Sequence, residues 1–122
     1  MTAKPQAIGE AAAKPTRITP ELAGKLLRDD REALPGGHAS KESLIADYAA
    51  SMLRGEWVEP NPRAPIVIAG PEGWSWNGVR MQPGTIHDGL HRLNAIAMSG
   101  VTVLQYVEWK TDQGRVPVVL PE

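Results

Sequence analysis

The chain has 122 residues, a formal net charge of −1 and no cysteine. Its length predicts one domain, and the lack of cysteine excludes a disulfide scaffold, a thiol nucleophile and a cysteine-ligated zinc site. The longest apolar runs are too short to span a bilayer, so we expect a cytoplasmic protein with no membrane partner.

The first half of the chain predicts an arm and two helices. The segment Met1 to Arg17 is rich in alanine, lysine and proline, and we predict that it is a disordered arm. One domain is expected to follow over residues 18–122. Its first helix begins at Thr19, the N-cap residue, with Pro20 in the first turn. A second helix is predicted from Lys41 to Arg54, after a loop with Pro-Gly-Gly at its centre.

The second half combines strands with one more helix. "IVIAG" predicts a buried strand, and the glycine-rich stretch after it predicts a hairpin or loop with a strand near Trp74 to Met81. "TIH" predicts a short strand end. "LHRLNAIAMSG" predicts a third helix with Leu93, Ile96 and Ala97 facing inward. "VTVLQYVEW" and "VPVVL" predict the last strands. This order indicates a small mixed α/β or α+β domain. We predict the α+β class, a small mixed sheet with three helices.

The turn before the third helix, "HDGLHR", concentrates groups that bind phosphate. A helix N-terminus carries unpaired N–H groups and about half a positive charge. Gly89 permits close approach of the backbone, Arg92 offers a planar guanidinium fork, and His91 adds a donor. Asp88 provides a carboxylate for a magnesium ion that bridges to the same phosphates.

A purely structural explanation of this turn stays open. Asp88 would then cap the helix and Gly89 would only make the turn. Arg92 would pair with Glu56 or Glu59. In that case the polar residues serve to end a strand and to begin a helix, and they bind nothing.

Other side chains are candidates on weaker patterns. His87 and His91 have the spacing of zinc ligands, but a glycine separates them and no third ligand is evident. Trp74 and Trp76 share one face of a strand and have the type of ring that stacks on a base, although we expect at least one of them in the core. Four acidic residues are possible general bases or solvated surface residues: Glu21, Glu42, Asp47 and Glu56.

The residues "DGLHRLNAIAMSGVTV" resemble the DGQHR-type motif of the ParB/sulfiredoxin-like superfamily. That superfamily includes the nucleotide-binding domain of partition proteins, the sulfiredoxins, a free-serine kinase branch and small proteins of phages and mobile elements. The upstream order of "ITPELAGKLL", "YAASMLRGEWV" and "APIVIA" extends the resemblance over roughly Ile18 to Trp109. It implies a ParB/sulfiredoxin-like fold in which the strand-to-helix turn cradles nucleotide phosphates.

The resemblance implies roles for the residues of this turn. Gly89, Leu90, His91 and Arg92 would bind a nucleotide such as ATP, ADP or CTP, or another phosphorylated small molecule, with Mg²⁺ on Asp88. If the protein is an enzyme, the resemblance implies nucleotide hydrolysis or kinase-like phosphotransfer. Asp88, His91 and Arg92 would then be the catalytic residues.

Departures from the motif open an alternative. Leu90 stands where sulfiredoxins have a cysteine, so sulfinic acid repair is excluded, and where DGQHR proteins have a glutamine. Only "KTDQGRVPVVLPE" follows Trp109, so we expect no helix-turn-helix. From Arg54 to Arg92 four arginines balance four acidic residues, which argues against a general grip on the nucleic-acid backbone. The alternative function is a non-catalytic regulatory or interaction module of a phage or mobile element that contacts DNA or a protein partner.

Overall fold

The computed structural model describes residues 14–30, 42–57 and 60–121. Within these ranges the elements are β1 (Thr16–Ile18), α1 (Pro20–Asp29), α2 (Glu42–Leu53), β2 (Ile66–Ala69), β3 (Trp74–Trp76), β4 (Val79–Met81), β5 (Ile86–Asp88), α3 (Leu90–Ser99), β6 (Val103–Gln105), β7 (Val107–Thr111) and β8 (Gly114–Val118). The predicted Pro-Gly-Gly loop and most of the predicted arm lie outside these ranges. No helix in the described ranges is long and apolar enough to cross a membrane.

The strands of the described residues form three sheets. Four of them make a mixed sheet in the order β5-β2-β7-β8, in which β2 and β7 are parallel and the other neighbours are antiparallel. β1 pairs with β6, and β3 and β4 form a hairpin. The predicted α+β class with three helices and a mixed sheet is confirmed, but the strands divide among three sheets where the sequence predicted one.

The first strand corrects the N-terminal boundary of the domain. Thr16 and Arg17, which were predicted to belong to a disordered arm, pair with Gln105 and Leu104 of β6. Thr16 is fully buried, and its hydroxyl accepts a hydrogen bond from the N–H of Leu120 at 3.1 Å. A buried threonine adds nothing to a hydrophobic pattern, so this strand has almost no sequence signal.

Local capping signals place the helix ends as predicted. The Thr19 hydroxyl accepts a hydrogen bond from the N–H of Leu22 at 3.0 Å, and Pro20 lies in the first turn of α1. Gly100 ends α3 with a left-handed φ of 76°. The last residue of α2, Leu53, precedes the predicted end by one residue.

α3 is the central helix and packs against both α1 and α2. Leu93, Ala95 and Ile96 are buried, whereas Ala97, which was predicted to face inward, is exposed. The buried arc is rotated toward Ala95 because α3 has a helix on each side. A pattern for a helix with one buried face does not include this arrangement.

β2 is the central strand of the domain and is buried along its whole length. Ile66 and Ile68 belong to the core beneath the helices, whereas Ala69 packs with Trp74 and Met81 of the hairpin. A strand that is covered on both faces has a continuous apolar sequence. This explains why "IVIAG" predicts a buried strand correctly.

The predicted strand "VTVLQYVEW" is interrupted at Tyr106, whose carbonyl accepts a hydrogen bond from the N–H of Ile66 at 2.8 Å. β6 ends before the interruption and β7 begins after it. Because β6 belongs to a different sheet, its last residue, Gln105, comes to lie in front of the N-terminus of α3.

Candidate functional site

The turn from β5 to α3 depends on a glycine for two independent reasons. Gly89 is the N-cap residue of α3 and has a φ of 104°, in the left-handed region. A Cβ atom at this position would lie 2.8 Å from Cγ1 of Ile66. The fold of the turn therefore accounts for Gly89 without any ligand.

The structure does not bear out the alternative in which Asp88 caps α3. The N-cap residue is Gly89, which makes no side-chain cap hydrogen bond, and the N–H groups of the first turn have no intrahelical acceptor. The first intrahelical bond runs from the N–H of Leu93 to the carbonyl of Gly89 at 3.0 Å. Gly89 therefore offers no side chain of its own to neutralise the positive end of the helix dipole.

An irregularity in the pairing of β5 with β2 determines the directions of the side chains that precede this turn. Val67 of β2 lies opposite Asp88, but Ile68 lies opposite Ile86, so that His87 is an extra residue on β5. Such a bulge breaks the alternation of side chains across a strand. His87 and Asp88 are consequently both exposed.

A cleft of about 350 Å³ opens in front of α3. It is bordered by α2 and the segment after it, the segment before β2, the β5–α3 turn and the end of β6. The lining residues are Tyr48, Trp57, Asn61, Ala64, Asp88, Gly89, His91, Arg92 and Gln105. The cleft contains four of the five residues that the motif predicted as a site.

Leu90 is the predicted binding residue that does not line the cleft. Its side chain is half-buried and packs against the main core. The start of a helix divides neighbouring residues between core and solvent. For this reason Leu90 turns inward while His91 and Arg92 border the cleft.

Arg92 is engaged by the protein itself. Its side chain is 14% exposed, and Nη1 donates to the carbonyl of Ala64 and to Oε1 of Gln105, the latter at 2.9 Å. Nη2 donates to the carbonyl of Pro65 at 3.1 Å and lies 4.0 Å from Oδ1 of Asp88. The fork that was predicted to bind phosphate oxygens is therefore turned toward backbone carbonyls and an amide.

The charge of Arg92 acts on the cleft although its terminal nitrogens are occupied. Burial lowers the pKa of Arg92 from its ordinary value, and the negative charge of Asp88, followed by Tyr48, acts in the opposite direction. A guanidinium stays protonated in proteins. The predicted ion pair with Glu56 is absent, since that carboxylate pairs with Arg54 at 2.9 Å, and Glu59 lies outside the described residues.

An aromatic pair forms another part of the lining. The rings of Tyr48 and Trp57 meet edge to face, with centroids 4.9 Å apart. Both are half-buried and pack against the core. The indole Nε1 of Trp57 is buried with no hydrogen-bond partner in the described structure.

The zinc hypothesis for His87 and His91 gains no support from the geometry. The ring of His87 lies edge-on to Trp74 of the hairpin, with centroids 5.6 Å apart, whereas His91 borders the cleft. Within the described ranges no group of three or more histidine, aspartate and glutamate side chains is arranged to hold a metal ion.

The remaining predicted residues lie away from the cleft. Trp74 is 8% exposed and lies under Nζ of Lys110, which confirms a core role for one of the paired tryptophans, while Trp76 is 52% exposed. The acids named as possible general bases are all exposed and none lines the cleft: Glu21, Glu42, Asp47 and Glu56.

The motif missed five residues of the cleft: Tyr48, Trp57, Asn61, Ala64 and Gln105. For Gln105 the available signal is a glutamine within an otherwise apolar strand, and the structure buries this side chain to 3% exposure. Tyr48 falls on the apolar face of the predicted second helix. Asn61 stands in a proline-rich stretch with no motif.

No protein-family model matches this chain, and neither a curated protein nor a solved structure matches it. The fold and the cleft themselves define a small α+β domain with a polar cleft at a strand-to-helix turn. The function must be argued from that cleft.

Proposed function

We propose that this protein binds a small phosphorylated ligand of mononucleotide size in the cleft in front of α3. The observation that carries the proposal is the position of the cleft. It lies at the N-terminus of a ten-residue helix whose N-cap residue is a glycine, with His91 and the charge of Arg92 beside it. These groups converge on one space, and each of them favours an anion.

The size and the charge of the cleft define the ligand class. Its volume of about 350 Å³ lies near the lower end of the roughly 300–1,000 Å³ of small-molecule sites. Arg92 and Asp88 offset each other, so His91 and the helix N–H groups supply most of the attraction for an anion. Such a site suits one phosphate group better than a bare triphosphate. The rings of Tyr48 and Trp57 offer an apolar surface for a base.

Asp88 is suited to hold Mg²⁺ together with a ligand phosphate. Its side chain is 63% exposed and borders the cleft. Magnesium is commonly bound through one or two carboxylates, with phosphates and waters completing the shell. The ion would neutralise phosphate charge next to Asp88. A di- or triphosphate such as ADP, ATP or CTP would then depend on magnesium more strongly than a monophosphate.

Thermal shift with a panel of nucleoside mono-, di- and triphosphates, with and without Mg²⁺, tests the proposal. A ligand at a hundred times its Kd stabilises the protein by about 2.7 kcal/mol. We expect this shift for the wild type and for His87→Ala, a matched histidine variant outside the cleft, and its loss in His91→Ala. Equal shifts in the two histidine variants, or no shift with any ligand, would contradict the proposal.

A second candidate function, docking of a protein partner, is favoured by the β3–β4 hairpin. Trp76 and Val79 are a cross-strand pair, 52% and 49% exposed, so that a tryptophan is presented to solvent. A photoreactive residue at position 76 should label one protein that is not labelled from exposed position 82. Equal labelling from the two positions would reject this candidate.

A further inference from the structure

The segment from Asn61 to Pro65, called the cleft wall below, supplies two residues to the lining of the cleft. It is shaped as a turn, in which the N–H groups of Arg63 and Ala64 donate to Asn61, at 2.9 Å to Oδ1 and at 3.0 Å to its carbonyl. Arg92 of α3 donates to the carbonyls of Ala64 and Pro65 across the cleft. One side chain thus ties the wall to the helix that bears the proposed binding groups.

Gln105 fixes the orientation of that side chain. Its Oε1 accepts from Nη1 of Arg92 at 2.9 Å, and its Nε2 donates to the carbonyl of Leu104 at 2.8 Å. With both ends of the amide held, the oxygen is the atom presented to the guanidinium. At 3% exposure the amide has little access to water that could replace a lost partner.

From these contacts we infer that Arg92 and Gln105 are positioning residues for the cleft. They set its shape by holding the cleft wall against α3 and β6, and Arg92 acts on the ligand through the wall. A ligand phosphate that bound the terminal nitrogens of Arg92 would have to displace two carbonyls and an amide. The effect on the ligand rests on the proposed function, whereas the effect on the wall does not.

The effect on the wall is measured without ligand, from ¹⁵N relaxation of the backbone at Arg63 and Ala64. We expect order parameters of about 0.85 in the wild type and below about 0.6 in Gln105→Leu, which removes the oxygen that accepts from Arg92. Gln105→Glu retains the acceptor oxygen and should keep the wall ordered. If Gln105→Leu does not fold, Arg92→Lys takes its place, because it retains the charge and loses the fork.

The effect on the ligand is measured by comparing a nucleoside with its monophosphate. If Arg92 acts through the wall, Gln105→Leu or Arg92→Lys should weaken both ligands by the same factor, about tenfold. His91→Ala, a direct contact in the proposed function, should weaken the monophosphate alone. Titrations followed by NMR give both dissociation constants, even when binding is weak.

The outcomes distinguish the inference from the proposed function. An ordered wall in Gln105→Leu and Arg92→Lys overturns the inference. A loss confined to the monophosphate in these variants also overturns it, since Arg92 would then contact the phosphate directly. If the wild type binds neither ligand, the proposed function fails, and the order parameters alone decide whether Arg92 and Gln105 position the wall.

Discussion

Arg92 in the first turn of α3 and Arg80 on the hairpin each connect parts of the chain that are distant in sequence, but they differ in burial. The Arg92 side chain is 14% exposed and donates to two carbonyls and an amide. The Arg80 side chain is 45% exposed and donates to the carboxylate of Asp112 at 2.9 Å, to the hydroxyl of Ser75 at 2.9 Å and to the carbonyl of Glu72. A buried hydrogen bond is stronger, and water does not replace a lost partner.

Because the two arginines differ in burial and in their partners, we expect the hairpin and the cleft to respond differently to salt and to pH. The hairpin is fastened by an exposed ion pair, which salt screens and acid breaks. The cleft is fastened by hydrogen bonds from a mostly buried guanidinium to neutral acceptors, which neither salt nor moderate pH changes. A binding site with a fixed shape is expected where the contacts that hold it do not change with salt or pH. The Arg92 contacts therefore support placing the ligand at α3.

The largest expected effect comes from glycines in the two turns. Gly89→Ala should lower the free energy of unfolding by about 3–4 kcal/mol. The added Cβ would clash with Ile66, and the alanine would have to adopt a left-handed φ. Gly78→Ala at the hairpin tip, where φ is 79° and nothing lies within 4 Å of the Cβ, should cost about 1 kcal/mol. Denaturant unfolding measures both values, and equal values would mean that the packing at Gly89 is looser than described.

The second-largest expected effect is a difference in the free energy of unfolding between the variants of Arg92 and Arg80. Arg92→Ala is expected to lower the free energy of unfolding by about 3 kcal/mol, because it removes a mostly buried guanidinium together with its hydrogen bonds to Gln105, Ala64 and Pro65. Arg80→Ala should cost less than a third of this, since its partners are open to water. Parallel urea unfolding of the two variants tests the ratio. A larger loss in Arg80→Ala would reverse the comparison.

The smallest effect is a dependence on acid that belongs to the hairpin. Hydrogen bonds from Arg80 and from the N–H of Ser75 lower the pKa of Asp112. The stabilisation by this carboxylate is thus complete above the unfolded pKa of about 3.9, and it is lost as the pH falls through the lower folded pKa. Wild type and Asp112→Asn should therefore differ in melting temperature at pH 6, and the difference should shrink as the pH falls below about 3.9. A difference that does not change with pH would show that Asp112 does not act through its charge.

Much of the fold follows from local signals. Thr19, Pro20 and Gly100 mark helix ends through backbone conformation and capping, which depend on a few adjacent residues. The apolar run of β2 requires only that both faces of a strand be covered. These features need no knowledge of distant partners, and the sequence therefore predicts them.

The parts that the sequence did not predict depend on contacts between distant residues. Arg92 meets carbonyls that lie 27 and 28 positions earlier in the chain, and every residue type has a carbonyl. His87 is an extra residue only because of how β5 pairs with β2. The interruption at Tyr106 likewise depends on a hydrogen bond to Ile66, the first residue of β2. The motif therefore located the cleft, but it could not show that Arg92 is engaged by the protein.

The most direct measurement is an amide NMR titration of the ¹⁵N-labelled protein with a nucleoside monophosphate, with and without Mg²⁺. Binding in the cleft predicts that the largest shifts are those of the N–H groups of Leu90, His91 and Arg92, and that His91→Ala weakens the response. The absence of saturable shifts, or shifts centred on the hairpin from Trp74 to Met81, would contradict a phosphate site at the start of α3.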